Sequence, residues 1–168
     1  MYDKYMKIAV TTDHTGFEDL KQIVTFLESL GHKCTDFGPK TFDLADDYPD
    51  FIFPAARSVA SGSCEVAIIM GGSGQGEAMT ANRIRGVRCA VFYGPVLPKI
   101  AIDAEGNTSD DPYEIIKLSR QHNNANVLSL SARFLSMDEM KQAIRIWLDT
   151  PISNVNRHLR RIEKLDTE

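Results

Sequence analysis

Apolar positions along this chain follow two alternating rhythms. Residues 6–12, Met-Lys-Ile-Ala-Val-Thr-Thr, are a short β-branched run closed by polar residues, which predicts a buried strand. From Gly16 to Leu30 the apolar Phe17, Leu20, Ile23, Val24, Leu27 and Leu30 recur at three- and four-residue spacing, and Gly31 supplies a stop. That pattern predicts an amphipathic helix. The order then repeats: a strand at 33–37, a loop through Tyr48-Pro49, a helix over about 50–61 and a strand at 64–70. A helix near 77–84, a strand at 87–92, a helical stretch ending near 121 and a strand at 126–130 follow. Two helices close the chain: 136–148, with Met140, Ala143, Ile144 and Trp147 on one face, and the basic stretch 152–165. Strands alternating with helices predict an α/β fold, a parallel sheet covered on both faces. Without repeats or an interdomain linker, residues 1–168 are expected to form a single domain, interrupted only by an exposed, turn-rich loop at 103–112.

Composition narrows the function classes. The 168 residues are 43% hydrophobic and 25% charged, as in ordinary globular proteins. Apolar runs such as 66–70 stop far short of the roughly 20 residues of a membrane span, so no membrane partner is expected and a cytoplasmic location follows by default. A net charge of -4 disfavours nucleic acid, and any anion site must be local. Cys34, Cys64 and Cys89 form no CxxC pair and are expected as small buried thiols.

In parallel α/β sheets ligands sit beyond the carboxyl ends of the strands, so the turns after the first and third strands are the places to look. The third ends in Gly71-Gly-Ser-Gly-Gln-Gly76. The phosphate-loop pattern GxxxxGK[ST] fails, because Glu77 and Ala78 stand where Lys and Ser/Thr belong, and GxGxxG fails on spacing. Such glycines serve either a tight turn or a nest of backbone N–H groups for an oxyanion. Glu77 beside that nest suits proton abstraction next to a carbonyl, although a carboxylate in a first helical turn also compensates the helix dipole. Asp13-His14 after the first strand can bind sugar oxygens and an anion, or cap the following helix. Ser119–Asn124 is either a polar cluster for ligand or a helix C-terminal cap. Arg157 and Arg161 lie four apart on one helical face, as a phosphate clamp or a solvated surface.

The order of these motifs is more specific than any one of them. Asp13-His14-x-Gly16, Asp47-Tyr48-Pro49, Gly71-Gly-Ser-Gly-Gln-Gly-Glu77 with Ala81-Asn82, Ser119-Arg-Gln-His-Asn123 before Asn126-Val-Leu, and Arg157-His-x-x-Arg161 together resemble the ribose-5-phosphate isomerase B family, which includes galactose- and allose-6-phosphate isomerases. The resemblance spans nearly the whole chain. It implies a Rossmann-like three-layer αβα sandwich with a five-stranded parallel sheet, and a homodimer whose sites lie between subunits, with tetramers left open. No metal or organic cofactor is implied. It also implies aldose–ketose isomerisation of a sugar phosphate through a 1,2-enediolate, first of all ribose 5-phosphate. A hexose 6-phosphate substrate and a noncatalytic sugar-phosphate sensor stand as alternatives. One branch of the family carries a cysteine at the start of the glycine loop; Gly71 puts this chain with the branch whose base is the glutamate at 77. By the same resemblance, Gly72, Gly74, Gly76 and Ser73 hold the enediolate oxygens, and Asp13 and His122 open the furanose ring. Asn123 and Tyr48 position the sugar, while His14, Arg133, Arg157 and Arg161 grip the phosphate. The stretch from Leu97 to Pro112 is longer than in compact members, either a lid or an inert insertion.

Overall fold

The computed structural model describes residues 5–167. Five strands, β1 (Lys7–Thr11), β2 (Lys33–Asp36), β3 (Val66–Gly71), β4 (Cys89–Phe92) and β5 (Val127–Ser131), form one sheet in the order β2-β1-β3-β5-β4, every pair parallel. Six α-helices accompany them: α1 (Phe17–Ser29), α2 (Tyr48–Ala60), α3 (Gln75–Ala81), α4 (Glu114–Asn123), α5 (Met137–Asp149) and α6 (Asn156–Thr167). The expected three-layer arrangement follows from strand alternation. Ile8 and Val10, Val66, Ile68 and Met70, and Leu128 and Leu130 pack on one face with α1, α4 and α5. Ala9, Ala67, Ile69 and Val127 pack on the other with α2 and α3. The small Ala9 and Ala67 meet Ala55 and Ala56 there, so burial rather than bulk holds α2 close.

Three expectations change in detail. Only Cys64 is buried; Cys34 and Cys89 are half-buried because β2 and β4 are the edge strands. The basic C-terminal helix starts at Asn156 rather than 152. Ser153 donates its N–H to Gln121 O at 3.2 Å and accepts from Val155 N at 3.1 Å, pinning 151–155 as a connector along α4. α2 begins at Tyr48, with Pro49 in its first turn, where a missing N–H costs nothing.

Strand direction sorts the loops into two edges. The turns after β1 and β3 lie at the carboxyl edge of the sheet. α4 runs back antiparallel to the strands, so its C-terminal residues lie at the amino edge, just before β5.

Candidate active site

At the carboxyl edge the glycine loop is anchored through its carbonyls. Gly71 O accepts from Ala132 N at 2.9 Å and Gly72 O from Arg133 N at 3.1 Å. Ser73 O accepts from Ser131 Oγ at 2.5 Å and Gly74 O from Ser129 Oγ at 2.7 Å. In a trans peptide the N–H points opposite to the C=O, so the N–H groups of Gly72, Ser73 and Gly74 are turned away from β5. Gly74 makes this possible: its φ is +73°, and a Cβ there would lie 2.9 Å from Ser129 Oγ.

Around the loop stand most of the expected residues. Glu77, in the first turn of α3, is only 4% exposed, and its carboxyl fills the space beside Gly71. Burial raises this carboxyl above its usual 4.5; its own backbone N–H opposes the rise, and the charge of Asp13 adds to it. The Tyr48 ring lies over Gly76 and the Arg133 guanidinium over Gly72, close enough that a Cβ would fall 2.8 Å from the ring and 3.3 Å from the guanidinium.

Asp13 keeps the capping role that its position allowed. Its Oδ1 accepts from Thr15 N at 2.9 Å and from the Thr15 hydroxyl. His14 donates from Nδ1 to Asp46 Oδ1 at 2.6 Å. That bond raises the imidazole above its usual 6.5, against partial burial, with Asp13 adding to the rise. Asp13, His14 and Asp46 are also the one trio of potential metal ligands among the described residues, with ligand atoms within 4.8 Å of one another. The His14–Asp46 separation argues for a shared proton, since two ligands on one cation sit about 3 Å apart or more at bond lengths near 2 Å.

The remaining residues gather at the amino edge. His122, at the end of α4, packs against His158 of α6 with ring centroids 4.2 Å apart and the rings tilted by 41°. Burial, followed by the charges of His122, Arg157 and Arg161, lowers the His158 imidazole below 6.5. Asn123 and Arg161 are exposed beside them. Arg157 is engaged by Glu105 of the long loop, Nη1 to Oε1 at 2.6 Å and Nη2 to Oε2 at 2.7 Å. Arg120, from the same polar run, is structural: it lies 5.0 Å over Trp147 and donates to Ala125 O at 2.6 Å. The motif asparagines Asn82 and Asn126 are structural as well, bonded to the backbone of Cys89 and Arg88.

One chain therefore brings Asp13, His14, Tyr48, Ser73, Glu77 and Arg133 together, and places His122, Asn123, Arg157 and Arg161 at the opposite edge. The length of β5, five residues or about 16 Å, separates the two groups. Asp46, His158 and Glu105 take part without having been singled out in the sequence. Asp46 is adjacent to Asp47-Tyr48-Pro49 and His158 lies inside Arg157-His-x-x-Arg161, so their motifs are the available signal; Glu105 has none.

Comparison with known proteins matches the ribose/galactose isomerase family model to residues 8–105 and 110–165, breaking at the tip of the long loop. The chain belongs to this family. It is 33% identical over 160 residues to ribose-5-phosphate isomerase B of Mycolicibacterium paratuberculosis, covering 95% of this chain and 89% of that one. Against the Thermotoga maritima ribose 5-phosphate isomerase structure the TM-score is 0.82 at 30% identity, covering 98% of this chain and all (100%) of that one. The Mycoplasma genitalium ribose-5-phosphate isomerase B structure with bound ribulose-5-phosphate gives a TM-score of 0.80 at 34% identity, covering 95% and 93%.

Proposed function

We propose that the chain is an aldose–ketose isomerase interconverting ribose 5-phosphate and ribulose 5-phosphate, with Glu77 as the base. The observation that carries this reading is a buried carboxylate beside a loop whose carbonyls are tied to β5 and whose N–H groups are turned away from it. The family relatives supply the substrate: they are named for ribose 5-phosphate, and one holds ribulose-5-phosphate.

Asp13 and His122 open the furanose. The Glu77 carboxylate then takes the C2 proton of the open aldose, and negative charge develops on O1. The amides of Gly72, Gly74 and Gly76, with Ser73, stabilise that charge. A proton moves from O2 to O1, and Glu77 returns its proton to C1, leaving the C2 ketone. Burial suits this cycle, because a raised pKa makes the carboxylate a stronger base toward the C2 proton. His14 and Arg133 approach the phosphate from one side, and Arg157 and Arg161 from the other. Tyr48 and Asn123 set the sugar between base and clamp.

The split of these residues between two sheet edges supports a homodimer in which His122, Asn123, Arg157 and Arg161 of the partner subunit complete the site around Glu77. An isologous contact forms two such sites at once. The deciding experiment is the initial rate of ketose formation from ribose 5-phosphate, with allose 6-phosphate and galactose 6-phosphate in parallel. Faster turnover of ribose 5-phosphate is expected. A preference for either hexose phosphate replaces the substrate, and binding without turnover of any replaces the enzyme with a sensor.

A further inference from the structure

We propose that Glu105 is a built-in competitor that holds the anion seat on Arg157 until a phosphate displaces it. The inference rests on the clamp role given to Arg157 above. Both Glu105 oxygens meet the guanidinium fork, at 2.6 and 2.7 Å, which is how a phosphate would engage it. The pair borders a cavity of about 310 Å³ that also exposes Gln121, His122 and His158, so the carboxylate stands where an incoming anion would.

The loop is built to present it. Asp103 Oδ1 accepts from Glu105 N at 3.1 Å and Asn107 N at 3.0 Å, and its Oδ2 accepts from Asn107 Nδ2 at 2.6 Å. Ile102 N reaches Asn107 O at 2.8 Å, and Val96 N closes the base on Pro112 O at 2.8 Å. Glu105 thus projects from an ordered turn at the place where the chain departs from the family pattern.

Exposure keeps the contact exchangeable. The Glu105 side chain is 54% exposed and that of Arg157 27%, and ion pairs so close to water are weak. A phosphomonoester brings nearly two charges and three acceptor oxygens against one charge and two oxygens, so it displaces the carboxylate. A neutral sugar, or a sugar acid with one carboxylate, gains nothing from the exchange.

The test measures steady-state kinetics with ribose 5-phosphate, and competitive inhibition by inorganic phosphate, for the full-length protein, Glu105→Gln, Arg157→Ala and the double variant. Glu105→Gln is expected to lower both KM and the phosphate inhibition constant by about two- to fivefold, the range that exposed ion pairs allow, with kcat unchanged. Arg157→Ala is expected to raise both constants and to make Glu105→Gln silent. If Arg157→Ala weakens phosphate but Glu105→Gln leaves its inhibition constant unchanged or raised, the Glu105 role is overturned alone. An effect of Glu105→Gln that persists without Arg157 also overturns it, as an effect of loop structure. If Arg157→Ala does not weaken phosphate, the clamp itself fails.

Discussion

The Glu77 carboxyl occupies the volume that a side chain on Gly71 would need: a Cβ at position 71 would fall 1.9 Å from Oε1 and 2.0 Å from Cδ. A side chain at 71 and a carboxylate folded in from 77 therefore compete for one place. This gives a steric reason for the pairing that the resemblance implies, glycine at 71 with the carboxylate at 77. Gly71→Ala is expected to displace the carboxylate and to cut kcat by about 10²–10⁴-fold, the usual contribution of a positioned base. Far-ultraviolet circular dichroism should be unchanged. A Gly71→Ala enzyme with full activity would remove Glu77 from the chemistry.

Burial of Glu77 also carries a stability consequence. Its folded pKa lies above the 4.5 of an ordinary glutamate, so the folded state binds more protons between the two values. Stability is then lost as pH rises through that window, because the buried carboxylate must ionise. Glu77→Gln is expected to abolish turnover yet raise the melting temperature at pH 7, with the advantage fading below pH 4.5. Thermal melts across pH 4–8 check this, and a variant less stable at neutral pH contradicts the assignment.

The fold was legible in the sequence because strands and helices of one parallel sheet carry different hydrophobic periods, and Gly31 and the 71–76 loop mark their ends. The carboxyl-edge cluster was legible for a related reason, since Asp13 stands in the turn after β1 and Glu77 in the first helical turn after the loop that ends β3. The division between edges was not, because it depends on α4 running back across the sheet. Glu105 was hidden for a related reason. Its partner Arg157 lies 52 residues away, and no local pattern marks a contact of that range.

Asp46 is expected to govern the charge of His14 from one hydrogen bond away. With the bond in place the imidazole stays protonated above its usual 6.5, and that stabilisation is lost as pH rises through the folded pKa. Asp46→Asn removes the charge, so the loss of phosphate affinity should move to lower pH while kcat stays nearly constant. KM for ribose 5-phosphate measured from pH 6 to 9 reads the shift directly. An unaltered KM profile would separate His14 from phosphate binding.

Because His14 Nδ1 and Asp46 Oδ1 stand 2.6 Å apart, closer than two ligands of one cation, divalent cations have no ready pair of ligands there. Turnover is expected to be the same with and without a strong chelator. A rate that collapses on chelation and returns with added metal would reverse that reading of the trio.

The two edges predict complementation. Glu77→Gln destroys one half of the proposed shared site and His122→Ala the other, so each variant homodimer is expected to be nearly inactive. In a mixed dimer, one site receives both damaged halves. The other receives Glu77 from the His122→Ala chain and His122 from the Glu77→Gln chain, and is intact. Random exchange makes half the dimers mixed, and a two-fold interface leaves one good site of two in each, so about a quarter of wild-type activity should return. Denaturing and refolding the variants together, with separately refolded samples as controls, measures it. Activity no higher than the controls would place both halves of each site within one chain.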